Sequence, residues 1–225
     1  MDGYISSDDM VTRQLEARGI RDPAVLAAMR TVPREAFVPR ELVGHAHDDR
    51  PLPIGSDQTI SQPYIVARML EAAELGATTR VLDVGTGSGY AAAVAAELAQ
   101  DVVSIERIPE LADAAAGRLR ALGRTAITVL VGDGTLGAPE YAPFDAIIAA
   151  AAAPDIPPAW VAQLAPHGRI VLPIESASGE QELIVASLGD DGVLSRRSLG
   201  PVLFVPLIGE AGLSRRRRES RRRRR

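Results

Sequence analysis

Three carboxylates recur at intervals along the middle of the chain, each closing an apolar run. Asp83 ends VLD ahead of a glycine loop, Glu106 ends VVSIE, and Asp133 ends AITVLVGD. After Asp83 comes Gly85-Thr86-Gly87-Ser88-Gly89, where missing Cβ atoms let the backbone touch a ligand at the start of a helix. A dinucleotide loop of the form G-x-G-x-x-G wants Gly or Ala in sixth place, and Tyr90 stands there instead. Such a loop also has no reason for an acid two residues before its first glycine. A carboxylate in that place suits a ligand bearing an ammonium better than one bearing a pyrophosphate. Glu106 follows the loop by about 20 residues, the distance at which an acid accepts both ribose hydroxyls. Asp133, followed by Gly134, is placed to bond an adenine amino group. Any one of these acids would pass as a strand-end cap. Three in register with the glycine loop describe S-adenosylmethionine rather than NAD.

The elements that must hold them are legible in the periodicity. From Arg80 onward short apolar strands alternate with helices: RVLDVG, YAAAVAAELA, VVSIE, PELADAAAGRLRALG, AITVLVGD, FDAIIAAA, IPPAWVAQLAPHG and RIVLPI. Strands joined by helices of this length must pair in parallel with right-handed crossovers. QELIVASL and SRRSLGPVLFVPLI, joined through Gly189-Asp190-Asp191-Gly192, read as an antiparallel hairpin at one edge. The expected fold is therefore a doubly wound α/β sheet of seven strands, mainly parallel, with helices on both faces. Residues 1–79 read as an N-terminal helical and loop lid, 80–213 as the ligand-binding core, and 214–225 as a disordered tail. Within the lid, MVTRQLEARG reads as a short helix stopped by Gly19, and Asp22-Pro23 caps a second one. Residues 32–56 are proline-punctuated and read as loop with one helical turn, and Pro63 opens a further helix.

Composition narrows the function classes. A chain of 225 residues, 46% hydrophobic, can bury a full core. It has no cysteine, which excludes disulfides, thiolate metal sites and a cysteine nucleophile, and fits a reducing compartment. The acidic first residues lack an apolar signal region, and no apolar run is long enough to span a membrane, so a cytoplasmic location is expected. The net charge of −4 combines a tail of nine Arg and one Glu, at +8, with a remainder at −12. Such a tail reads first as a solvated extension, and otherwise as a tether to nucleic acid or an acidic partner. His45, His47 and His167 have no third ligand at metal spacing, so no metal is expected. Trp160 reads as core packing.

Just before the core lies Asp57-Gln58-Thr59-Ile60-Ser61-Gln62-Pro63-Tyr64, which offers hydroxyls and amides but no strong base. Ser61-Gln62-Pro63 is a good helix start, with Ser61 as its cap. VLDVGTGSGY, VVSIER, GDG and PFDAII resemble the successive motifs of class I methyltransferases. QLEARGI, VPREAFVP, LPIGSDQTISQPYIVARM, AAAPDIP and FVPL are similar to protein-L-isoaspartate O-methyltransferases, over most of the chain ahead of the Arg tail. The resemblance implies that Ser61 contacts the substrate carboxylate and that Thr59 and Ile60 line the same wall. It also implies cofactor contacts from Asp83, Gly85, Glu106, Asp133 and Gly134. It departs at Asp57, where the family has glycine; that side chain is expected to point to solvent.

A carboxylate nucleophile explains the missing base, since its pKa near 4 leaves it ionised at neutral pH. It needs orientation towards the methyl group, not activation. The fourth strand is followed by AAAAAPDIP rather than an Asn/Asp-Pro-Pro-aromatic element, which argues against methylation of nucleic-acid bases. The resemblance implies methyl esterification of isoaspartyl residues in damaged proteins and peptides; a monomer is expected. The ester then cyclises to a succinimide that hydrolyses partly to aspartate. Two alternatives stand beside it: a peptide aspartate methyltransferase that forms an aspartimide, and a non-catalytic protein that keeps the fold and binds through its Arg tail.

Overall fold

Side chains that alternate along the central strands decide the architecture. In the computed structural model, which describes residues 5–213, Val81, Val102, Ala146 and Ile148 face one side of a sheet. Their neighbours Leu82, Val103, Ile147 and Ala149 face the other. Strands apolar on both faces must be covered on both, as parallel sheets are. The elements are helices α1 (Ser7–Asp9), α2 (Pro23–Thr31), α3 (Pro63–Ala73), α4 (Tyr90–Ala95), α5 (Pro109–Ala121) and α6 (Pro158–Val161). The strands are β1 (Leu52–Gly55), β2 (Gln58–Ile60), β3 (Arg80–Val84), β4 (Asp101–Glu106), β5 (Ile127–Val131), β6 (Phe144–Ala149), β7 (Leu164–Glu175), β8 (Gln181–Leu188) and β9 (Leu194–Pro201).

Seven strands form one sheet in the order β5-β4-β3-β6-β7-β8-β9. The first five are parallel, and β7-β8 and β8-β9 are antiparallel. This is the doubly wound sheet with an antiparallel edge that the sequence predicts. The chain leaves β3 towards β4 on one side and reaches β6 on the other, so a crevice opens at the carboxyl end of β3, where such folds bind ligands. Helices α2, α3 and α4 share one apolar cluster with the first face of the sheet, and it runs unbroken from Met10 and Phe37 to Val81 and Ile148. Trp160 of α6 and Leu207 belong to the cluster on the opposite face.

The lid departs from the sequence reading in three places. Its first helix begins at Ser7, and Met10–Leu15 winds as a π-helix. That wider turn buries Met10, Val11 and Leu15 together, Leu15 lying five and four residues after the other two, the spacings a π-helix places on one face. Gly19, at φ 99°, ends the segment as expected. The proline-punctuated stretch forms two 3-10 turns, Arg34–Phe37 and Arg40–His45, where one helical turn was expected. The polar segment from Asp57 is not a loop but half of a hairpin, with β1 and β2 antiparallel and Leu52 opposite Ile60. Proline in β1 and polar side chains in β2 hide the hairpin from periodicity. Beyond the lid, α6 is only four residues long and β7 starts early, at Leu164. Pro166 lacks an N–H and disfavours helical backbone at Ala165, and His167 takes φ 62°. The Arg tail from residue 214, expected to be disordered, lies outside the described residues.

The hairpin turns through Ser56 and Asp57, both left-handed at φ 51° and 56°. Two such residues in a two-residue connection give the turn whose twist matches the flanking strands, and Gly is favoured in it. Asp57 therefore occupies a position that aspartate tolerates and glycine prefers. We expect Asp57→Gly to raise stability by about 0.5 kcal/mol and Asp57→Val to lower it by about 1 kcal/mol. Chemical denaturation of the two variants checks this; equal midpoints would show that the turn does not constrain the hairpin.

Candidate active site

Val84 and Gly85 at the end of β3, Ile105 and Glu106 at the end of β4, Gly134 after β5 and Ala150 after β6 surround a cavity of about 210 Å³. The hairpin closes one side through Asp57, Gln58 and Thr59, and the segment Val205–Ile208 closes another. A second, smaller apolar cavity lies beside it, lined by Ser61, Asp83, Met69 and Ala150, among others. Ala150 borders both.

Asp83 is buried at the centre of this arrangement. Its Oδ2 accepts from the Ser104 hydroxyl at 2.6 Å, and Ser104 in turn shares a 2.5 Å hydrogen bond with Thr86. Burial pushes the carboxyl up to about 6; the Ser104 donor opposes the rise and the nearby Glu106 charge adds to it. No cation of the described residues acts on it. Glu106 is also buried, and its two oxygens accept from the backbone N–H groups of Gly87 and Ile108 at 2.9 and 3.0 Å. Two buried acids beside an open glycine backbone make a site that a cationic, diol-bearing ligand completes. The donor set thus fits S-adenosylmethionine.

The glycine loop divides its labour. Gly85 and Gly87 line the cavity, whereas Thr86 and Ser88 are buried supports: Thr86 reaches Ser104, and Ser88 accepts from the Tyr90 N–H at 3.3 Å. Gly89, at φ 89°, is the N-cap of α4, and a Cβ there would press on Ala115 and Leu119. At Gly87 an added Cβ would meet Ile54 of the hairpin at 3.4 Å, so β1 packs directly over the loop.

Asp133 behaves differently from the other two acids. Its Oδ1 accepts from the Thr135 N–H and hydroxyl, and its Oδ2 from the Glu210 N–H at 2.8 Å. It is the cap of the 3-10 turn Gly134–Leu136 and the anchor of the C-terminal segment. These bonds hold its pKa below the usual carboxylate range, although burial opposes them. Gly134, not Asp133, is the part of this turn that lines the cavity. Trp160, read as core packing, is fully buried and also donates to the Gly134 carbonyl at 2.8 Å.

Of the predicted substrate wall, Thr59 lines the main cavity and Ser61 the small one. Ile60 is not on that wall. Neighbouring residues of a strand face opposite ways, and Ile60 points into the core at 3% exposure. Nor does Ser61 cap α3: the N-cap is Gln62, without a side-chain bond. Among the described residues the Ser61 hydroxyl makes no hydrogen bond, while its carbonyl accepts from Arg34 at 2.7 Å. Asp57 is exposed, as expected, and sits at the cavity rim. Sequence reasoning assigned no role to Val205–Ile208 or Ile54; the FVPL motif was visible, but nothing in the residues alone connects it to β3. The histidines stay apart from the site: His45 meets Asp48 at 3.0 Å, and His47 is buried against the Ile5 carbonyl. Among the described residues no cluster of His, Asp and Glu suited to a metal occurs, and no helix is long and apolar enough to cross a membrane.

The family model for protein-L-isoaspartate(D-aspartate) O-methyltransferase matches residues 6–212. A protein-L-isoaspartate O-methyltransferase 2 of Pelobacter propionicus is 53% identical over 204 residues, covering 90% of each chain. A protein-L-isoaspartate O-methyltransferase of Methanoculleus marisnigri is 52% identical over 205 residues, covering 91% of this chain and 92% of its own. A solved protein-L-isoaspartate O-methyltransferase superposes with a TM-score of 0.85 at 27% identity, over 92% of this chain and 67% of that one. At 24% identity, a similar fold recurs in a putative enzyme of this kind from Plasmodium falciparum, with a TM-score of 0.76 over 90% of this chain and 98% of that one. From motif, sheet order and matched length alike, the chain belongs to the protein-L-isoaspartate(D-aspartate) O-methyltransferase family.

Proposed function

We propose that this protein transfers a methyl group from S-adenosylmethionine to the free carboxylate of L-isoaspartyl residues in damaged proteins and peptides. The observation that carries the reading is Ser61, which borders the same small cavity as Asp83 and whose hydroxyl has no partner among the described residues. When bound, S-adenosylmethionine supplies a methyl carbon activated by its sulfonium. Asp83 and Glu106 would hold its ammonium and ribose ends, with Gly85, Gly87 and Gly134 giving close backbone approach. Thr86, Ser88 and Gly89 keep that loop in shape, and Asp133 fixes the turn that carries Gly134 on the adenine side.

Ser61 donates to the substrate carboxylate and aims it; the carboxylate needs no base because it is already ionised. Thr59 forms the partition on which the peptide rests. The transfer leaves a methyl ester, and the following backbone nitrogen displaces methanol to give a succinimide. Hydrolysis of that ring returns aspartate in part, without further help from the protein. We place the protein in the cytoplasm, a reading supported by the absence of cysteine, and take it to act as a monomer.

Three outcomes test this reading. Labelled methyl should pass to an isoaspartyl peptide and not to its aspartyl twin; transfer to the aspartyl form alone would instead identify a peptide aspartate methyltransferase. Ser61→Ala should bind S-adenosylhomocysteine within about twofold of wild type while kcat/KM falls about 100-fold. A loss confined to cofactor affinity would remove Ser61 from the substrate side.

The third outcome follows from Asp83. Its folded pKa lies above that of a free carboxyl, so the ionised form is disfavoured in the protein alone. Its contribution to stability is full below about pH 4 and is lost as pH rises through about 6. A bound ammonium reverses the preference and selects the ionised form. Calorimetry should therefore find S-adenosylhomocysteine affinity about tenfold weaker at pH 5 than at pH 7. Asp83→Asn should bind on the order of 30-fold more weakly at pH 7 and lose the pH dependence. A pH-dependent Asn variant would assign the titration to another group.

A further inference from the structure

The VPREAFVP segment contains a buried cation that neither the core nor the reading above accounts for. Arg34 is 0% exposed, yet no carboxylate pairs with it among the described residues. Its Nε donates to the Ala46 carbonyl and its Nη2 to the Ser61 carbonyl, both at 2.7 Å. Its Nη1 is buried without a partner. The guanidinium carbon lies 4.7 Å from the centre of the Tyr90 ring, the first residue of α4 after the glycine loop. Phe37 packs edge-on against the same ring, with centroids 5.5 Å apart.

Stability alone gives no reason for a cation here. A buried charge without a carboxylate in contact carries a desolvation cost, which Asp49 offsets only in part from beyond contact distance, and an apolar side chain of similar length would fill the space without it. What the guanidinium does supply is geometry. Its rigid fork donates to the Ser61 and Ala46 carbonyls together, while its carbon lies over the ring that begins the cofactor helix. Ser61 lies between β2 and α3, where no cap bond from its own side chain fixes it. Arg34 is the contact that ties this residue both to the lid and to the cofactor loop.

We propose that Arg34 is a positioning residue for methyl transfer: its guanidinium fork fixes the Ser61 backbone relative to the glycine loop, and so aims the Ser61 hydroxyl at the substrate carboxylate. This rests on the function proposed above. Lysine keeps the charge but lacks the fork, so Arg34→Lys separates aim from electrostatics. For this variant, kcat/KM on an isoaspartyl peptide should fall about 30-fold, with S-adenosylhomocysteine affinity within about twofold of wild type. In a Ser61→Ala background the same change should cost less than about twofold, because both act through one hydroxyl. Amide exchange over residues 58–66 should quicken at least about tenfold, while residues 81–95 remain protected.

Wild-type turnover in Arg34→Lys, or losses that multiply with Ser61→Ala, would overturn the proposal. If Arg34→Lys does not bind S-adenosylhomocysteine, Arg34→Gln, which can still donate to one carbonyl, takes its place. Failure of both to bind would make Arg34 a general core residue and also overturn it. The binding and exchange measurements need no methyl acceptor, so they judge Arg34 even if the wild-type protein proves inactive on isoaspartyl peptides.

Discussion

Everything in this molecule that bears on chemistry is arranged around carboxylates that the fold buries without giving Asp83 a cation. A buried carboxylate is costly unless it is neutralised, hydrogen-bonded or paired. Here one hydroxyl, from Ser104, offsets part of that cost for Asp83, and two backbone N–H groups do so for Glu106. The remaining imbalance is a binding potential. It is located at the carboxyl edge of β3 and β4, where the sheet order reverses and where no helix can cover the strand ends. The fold thus holds a negative charge in a dry position that only a cationic ligand relieves.

Support for this site comes from distant parts of the chain, each using a backbone contact. Trp160 holds the Gly134 carbonyl from the opposite face of the sheet. Gln181 pairs with both the N–H and the carbonyl of Phe204, ahead of the segment that lines the cavity. Gly209 approaches Asp133 so closely that a Cβ would lie 1.9 Å from its Oδ1. The side chains at the cavity are few, and the geometry is kept by groups outside it, which is how a site keeps its precision without being crowded.

The legible parts of the sequence were those whose pattern repeats or whose chemistry is uncommon. Alternating strands and crossover helices announce the sheet, and an acid before a glycine loop announces Asp83. The hairpin was hidden because Pro53 and Gly55 sit in one strand and polar residues fill the other, leaving no period-two signal. Ile60 was assigned to the substrate wall because a motif carries no facing; strand geometry turned it inward. Asp133 looked equivalent to the other acids until its oxygens proved to be engaged as a cap. Arg34 was invisible in a chain with 25 basic residues, all arginine, because burial and the lack of a carboxylate partner are properties of the fold.

The contact of Ile54 with the glycine loop also bears on energetics. Gln58 and Thr59 of the hairpin form one wall of the cavity that Gly87 also lines, and Ala150 borders both this cavity and the smaller one beside Ser61. Two ligands that share a wall share its free energy. Any ordering of the hairpin by one is a cost the second no longer bears, and by linkage the factor is the same in both directions. Methyl donor and peptide are therefore expected to bind as a coupled pair, with the demethylated donor holding the peptide less or more tightly by whatever the hairpin senses of the missing methyl.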